Sequence, residues 1–194
     1  MIVILGTAHG SNISGKRSPD GKFFEYIWSR NMCRLIKEEL LNYGIESYID
    51  IEEDEEPSLK ERVNRVNAIC DARKDEHCIY ISIHVNAGPE PKWTNATGCT
   101  VYVYRKCSEN SRVLALCYHE AAEELGLLGN RVLPETKYFE SGLYVCKNTK
   151  CPAILTENGF MTTKENVEWL DSEEGMKTIC DLHIKTIQEY LRNV

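Results

Sequence analysis

One run narrows the choice of fold more than any other: Ile79 to Ala87, reading Ile-Tyr-Ile-Ser-Ile-His-Val-Asn-Ala. β-Branched and aromatic residues fill it almost without a break, as in a strand buried on both faces of a sheet. With a side-chain period of two, Ile79, Ile81, Ile83 and Val85 share one face, and Tyr80, Ser82 and His84 share the other. Asn86-Ala87-Gly88-Pro89 then breaks the strand. Strands of this kind belong inside α/β sheets, where chemistry gathers just beyond the strands' carboxyl ends. His84 stands at that end.

The flanking chain alternates strand and helix patterns. Ile2 to Leu5, Ile45 to Ile51, Cys99 to Tyr104 and Ala153 to Thr156 read as further strands, and Leu143 to Cys146 as a short candidate. A long helix spans Phe23 to Tyr43, with Trp28, Met32, Leu35, Ile36, Leu40 and Tyr43 as its stripe and Gly44 as its C′ residue. Ser58 and Glu61 form a capping box for a helix whose buried stripe is Leu59, Val63, Val66 and Cys70. Ser108 caps a helix to about Leu125, with Leu114, Cys117, Ala121 and Leu125 inward. Thr162 and Glu165 suggest another capping box, for a short helix ending near Leu170. The last helix, Glu173 to Leu191, carries Met176, Ile179, Cys180, His183, Ile187 and Tyr190 on one face. With 194 residues, no internal repeat and no linker, the chain fits one α/β domain over residues 1–194.

Composition excludes some partners. A net charge of −7 argues against nucleic acid and against anionic membrane, both of which call for a basic patch. No stretch approaches the ~20 apolar residues of a membrane span. Met1 to Leu5 is too short for a signal-peptide core and has no basic leader, so the expected place of synthesis is the cytoplasm, unless a leader has been removed. Nine cysteines without any Cys-x-x-Cys read as reduced, buried small hydrophobes; a cysteine zinc site or a disulfide framework is the alternative.

Other polar groups fall near the same strand ends. His9 follows the first strand in Gly6-Thr7-Ala8-His9-Gly10, and Glu157 follows the last in Thr156-Glu157-Asn158-Gly159. Glu25 lies three residues before Trp28, at the head of the first helix's inward stripe, where a carboxylate needs a compensating charge. A metal ion, an arginine or the helix N-terminus would supply it. Zinc catalysis needs three nitrogen or oxygen ligands and an open position. His9, Glu25 and His84 would be those ligands, with Glu157 as general base. Of the other histidines, His77 reads as solvated, His119 as pointing off its helix's apolar face, and His183 as a core residue. Glu52 to Glu56 reads as a solvated acidic loop. Ser11 to Gly21 reads as a mobile loop, Arg131 and Lys137 as surface charges, and Asn86 as the residue that fixes the turn beneath His84.

Ala8-His9-Gly10, Glu25, Ser82-Ile83-His84-Val85-Asn86-Ala87 and Cys151-Pro152-Ala153-Ile154-Leu155-Thr156-Glu157-Asn158-Gly159-Phe160 follow in an order that resembles the zinc-dependent N-acetylmuramoyl-L-alanine amidases of the amidase-3 type. The resemblance covers essentially the whole chain. It implies a twisted, mostly parallel sheet of about six strands with helices on both faces. It also implies Zn2+ on His9, Glu25 and His84, with Glu157 as base. The implied reaction is hydrolysis of the amide between N-acetylmuramic acid and L-alanine in peptidoglycan, with the cell wall as the place of action. Two departures stand out: Ala8 where the family commonly has Gly, and Thr162-Thr163 where an Asn often follows Gly-Phe. The lack of a separate wall-binding module resembles a phage or prophage lysin or an isolated catalytic domain. Another zinc amidohydrolase or peptidase, or a domain that binds peptidoglycan without cutting it, fits the same residues.

Overall fold

The computed structural model describes residues 1–194. Six strands form one sheet: β1 (Ile2–Thr7), β2 (Glu46–Ile49), β3 (Cys78–Asn86), β4 (Cys99–Tyr104), β5 (Phe139–Ser141) and β6 (Ala153–Phe160). Six helices accompany them: α1 (Glu25–Asn42), α2 (Leu59–Ala72), α3 (Glu109–Glu124), α4 (Tyr144–Asn148), α5 (Lys164–Leu170) and α6 (Glu173–Asn193). The strand order is β2-β1-β3-β6-β4-β5. β2, β1, β3 and β6 run parallel, and β4 joins β6 antiparallel with β5 parallel to β4. This is the expected α/β domain.

The alternation of β3 sorts its side chains as the sequence demands. Ile79, Ile81, Ile83 and Val85 enter the larger apolar layer, beneath Met32 and Ile36 of α1, Leu114 of α3 and Ile187 of α6. Tyr80 enters the smaller layer on the other face, with Val63 and Val66 of α2 and Val145 of α4. Helices therefore cover both faces, and β3 lies at the centre.

Caps fix where several helices begin. The Ser58, Ser108 and Ser172 side chains accept from the backbone N–H of Glu61, Ser111 and Gly175, which satisfies donors the helix itself leaves open. Helix α5 starts instead from Thr163, without a side-chain cap, so the Thr162–Glu165 box is not made. Gly44, at φ 67°, ends α1 as expected of a C′ glycine.

Some expectations fail. Leu143 to Cys146 is not a strand: Tyr144–Asn148 is a helical turn, and the edge strand is Phe139–Ser141. A four-residue apolar run does not separate the two periods, and here Val145 and Cys146 pack onto the smaller layer from above. Tyr43, Leu59 and Leu125 are exposed. Each lies at the end of its helix, where the inward stripe stops. His119 is buried rather than turned to solvent. The Ser11–Gly21 loop is tied down by Ser11 N–H to the Asp54 carbonyl at 2.8 Å, the Asn12–Glu56 backbone bonds and a bridge between Arg17 and Phe24.

Candidate active site

Three parallel elements bring their polar groups to one rim. β1 ends at Thr7, and the chain turns through Ala8 and His9, whose φ of 44° is unusual for a residue with a side chain. The surroundings hold that turn. Arg30, buried in α1, donates to the carbonyls of Ala8 (3.2 Å), His9 (3.0 Å), Tyr26 (3.0 Å) and Glu53 (2.8 Å). Ser29, one residue earlier, accepts from the Ala8 N–H at 2.8 Å and donates to the Ile83 carbonyl at 2.6 Å. Helix α1 thus clamps the ends of β1 and β3 side by side. Gly10 completes the turn, because a Cβ there would lie 2.1 Å from the Glu56 backbone nitrogen.

Glu25 is the first residue of α1 and is only 2% exposed. Its Oε1 lies 3.0 Å from His84 Nδ1 and accepts from the Val85 N–H at 3.2 Å; its Oε2 lies 3.6 Å from His9 Nε2. Burial pushes this carboxyl up, but the His84 hydrogen bond, the His84 and His9 charges and the Val85 amide outweigh it and hold the group below the ordinary carboxylate range. One ligand atom from each of His9, Glu25 and His84 falls within 4.8 Å of the others. Tetrahedral zinc ligands with bonds of ~2.0–2.1 Å lie about 3.4 Å apart, so this donor set suits such an ion in both chemistry and spacing. The distal nitrogens are also engaged. His9 Nδ1 faces Glu56 Oε2 at 3.6 Å, and His84 Nε2 faces Ser82 Oγ at 3.1 Å. Outer partners of this kind orient imidazoles that bind metals.

Glu157 stands beside this group. Parallel pairing sets it level with His84, so both project from the same face. It lies inside β6 rather than after it, since the strand continues through Phe160 with a register shift opposite His84 and Asn86. Its Oε2 is closed off from solvent and has no hydrogen-bond partner. Burial first, and then the Glu25 charge, push this carboxyl well above its ordinary value, against weaker opposite pulls from Lys16 and Arg131. A cavity of about 150 Å³ opens next to the histidines, lined among others by His9, Glu56, His84, Tyr144 and Leu155. An N-acetylmuramoyl-L-alanine amidase family profile of the amidase-3 type matches residues 3–189.

The chain belongs to this family. Membership makes it an N-acetylmuramoyl-L-alanine amidase, a hydrolase of peptidoglycan. It is 27% identical to the germination-specific N-acetylmuramoyl-L-alanine amidase of Bacillus subtilis (strain 168), over 68% of this chain and 50% of that protein. It is 25% identical to the endolysin of Bacillus phage SPP1, over 98% of this chain and 66% of that one. It shares its fold with the catalytic domain of the amidase CwlV from Bacillus (Paenibacillus) polymyxa var. colistinus: TM-score 0.80, 22% identity, 98% of each chain covered.

The amidase site contains residues that sequence reasoning passed over. Glu56 belongs to the acidic run read as solvated, yet it is mostly buried between His9 and Arg62. Burial raises its carboxyl, and the adjacent His9 ring together with the Arg62 charge more than reverses that. Arg62 donates to the Thr7 carbonyl and to Asp50 Oδ2, both at 2.6 Å, and Asp50 also accepts from the Thr7 N–H and the Tyr80 hydroxyl at 2.9 Å. This buried network locks β1, β2, β3 and α2 directly below the His9 turn. Asn158 donates to the His84 carbonyl at 2.9 Å and accepts from the Tyr118 hydroxyl at 2.8 Å. Asn158 also donates to Thr156 Oγ1, which lies 3.1 Å from His183 Nε2; His183 is the core residue expected. Asn86 Oδ1 accepts from the Ala87 N–H at 2.8 Å, in keeping with a turn-fixing role. No helix is long and apolar enough to cross a membrane.

Proposed function

We propose that this chain hydrolyses the amide joining the lactyl group of N-acetylmuramic acid to L-alanine of the peptidoglycan stem peptide, with zinc held by His9, Glu25 and His84 and with Glu157 as general base. One observation carries the reading: three ligand atoms of zinc-binding type converge within 4.8 Å at a strand rim, next to an unpartnered carboxylate oxygen. A zinc ion in such a set supplies Lewis acidity, polarising a carbonyl and lowering the pKa of water towards about 7.

The chain's own residues do the rest. The negative Glu25 sits between two imidazoles and leaves the site one negative charge to balance a divalent cation. Glu56 and Ser82 hold the outer nitrogens, so Nε2 of His9 and Nδ1 of His84 face inward. Burial and the Glu25 charge push the Glu157 carboxyl well above its ordinary value. Glu157, held as a carboxylate if a cation occupied the three ligands, would accept the proton of the attacking water and pass it to the departing L-alanine amine. On this reading the chain acts at the cell wall.

The test uses purified sacculi and the isolated protein. Turnover should release L-alanine amino termini without new reducing sugar ends. Glu157→Ala should lower the rate by about 10²–10⁴-fold while retaining about one zinc per chain. His84→Ala should lose both metal and activity. Normal stem-peptide release by Glu157→Ala refutes the base assignment, and full zinc content in His84→Ala removes that residue from the ligand set.

A further inference from the structure

Three thiols meet at the amino ends of the parallel strands, at the opposite end of the sheet from His9 and His84. Cys78 is the first residue of β3, Cys151 lies two residues before β6, and Cys70 lies in the last turns of α2. β3 and β6 pair in parallel with Tyr80 level with Ala153, and the Tyr80 N–H bonds the Pro152 carbonyl at 2.9 Å. Two residues back along both strands, Cys78 and Cys151 come level on the same face. Helix α2 packs over that face, and its end is fastened to the segment before β6. The Asn67 side chain donates to the Asn148 carbonyl at 3.0 Å and accepts from the Lys150 N–H at 2.8 Å, and Asp71 holds Lys150 Nζ at 2.6 Å. Asn67 and Asp71 flank Cys70 on the helix, so these bonds set Cys70 directly against Cys151.

The chemistry of the three thiols differs. Cys70 and Cys151 are half-buried, whereas Cys78 is buried. The neighbouring Cys151 thiol, against burial, and the Cys78 thiol hold the Cys70 thiol down at about 7, despite the nearby Asp71 charge. The adjacent Cys70 thiol and burial push the Cys151 thiol up, and burial pushes Cys78 up to about 11. Of the three, Cys70 is the half-buried thiol whose proton its neighbours make easiest to lose.

We propose that Cys70 is a thiol modification site for small-molecule disulfides, and that Cys151 is its resolving partner. The Cys70 thiolate, its proton lost to solvent, attacks one sulfur of the disulfide RSSR. A Cys70–S–SR bond forms, and the released RS⁻ takes up a proton. The Cys151 sulfur then attacks Cys70 Sγ and expels the second RS⁻, which takes the Cys151 proton. Two protein thiols are oxidised to one disulfide and RSSR is reduced to two RSH. The product ties α2, which carries Arg62, to the start of β6, which carries Glu157.

The experiment exposes the reduced, folded full-length chain to oxidised glutathione, alkylates the remaining thiols and maps the peptides by mass spectrometry. The expected product joins the Cys70 and Cys151 peptides, loses the mass of two hydrogens and leaves the other cysteines alkylated. Cys151→Ala should stop at a glutathione adduct on Cys70, and Cys70→Ala should leave both Cys78 and Cys151 free. A wild-type chain in which Cys70 stays reduced, or links to any cysteine other than Cys151, overturns the proposal. So does a glutathione adduct on Cys151 in Cys70→Ala. The wild-type map decides the question even if a variant fails to fold.

Discussion

Acid should destabilise this protein through a residue outside the His9, Glu25 and His84 group. His183 is fully buried in α6. Its Nδ1 lies 2.8 Å from the Ile179 carbonyl and its Nε2 lies 3.1 Å from Thr156 Oγ1. The neutral ring satisfies both, with Nδ1–H donating and Nε2 accepting from the Thr156 hydroxyl, whereas a protonated ring puts a charge in a fully buried position. Burial lowers its pKa from 6.5 to about 4, against a small opposite pull from Ile179. The unfolded chain therefore takes up this proton first. The contribution to stability is complete above about pH 6.5, erodes as pH falls, and is gone near pH 4. A gap of about 2.5 between the two pKa values corresponds to about 3 kcal/mol. The assay is urea unfolding of metal-free wild type and His183→Gln at steps from about pH 7.5 to about pH 4. Carboxylates such as Glu25 titrate in both proteins and cancel in the difference. Wild type should lose about 3 kcal/mol more than the variant over that range. Parallel curves would refute the assignment of a buried, neutral His183.

Other outcomes follow from the supports of the site. Glu56→Gln should keep the far-ultraviolet circular dichroism and weaken zinc affinity by about 10–100-fold in competition with a chelator. Arg62→Leu leaves Asp50 buried and unpaired, and denaturant titration should show a loss of about 3–5 kcal/mol; adding Asp50→Leu should restore much of it. Arg30→Lys cannot reach four carbonyls with one ammonium, so kcat should fall while the thermal midpoint drops by only a few degrees. Asn158→Ala strands the His84 carbonyl and the Tyr118 hydroxyl, at about 2–4 kcal/mol in unfolding free energy.

Legibility in the sequence tracked the range of the interaction concerned. β3 was readable because its alternation is local and its apolar face long. His84 turns to the rim with His9 and Glu25, away from the layer that holds Ile83, as that alternation requires. Glu25 was readable because a carboxylate on an inward stripe demands compensation. Leu143 to Cys146 misled because four apolar residues carry too little periodicity. Tyr43, Leu59 and Leu125 misled because a stripe does not say where its partner surface stops. Glu56 misled because its neighbours Glu52 to Glu55 are exposed and only a distant histidine and arginine separate it from them.

The sequence by itself determined the central strand, the helix starts at Ser58, Ser108 and Glu173, and the four candidate residues His9, Glu25, His84 and Glu157. Each of these depends on residues a few positions apart, whose spacing fixes a face or a cap. The tertiary structure alone decided which side chains hold that group in place. Arg30, Ser29, Asp50, Arg62 and Asn158 act through partners between 12 and 74 residues away, or on carbonyls that no sequence pattern marks. It also brought Cys70 to Cys151, because packing α2 over the β3–β6 pair, not spacing along the chain, sets which thiols meet.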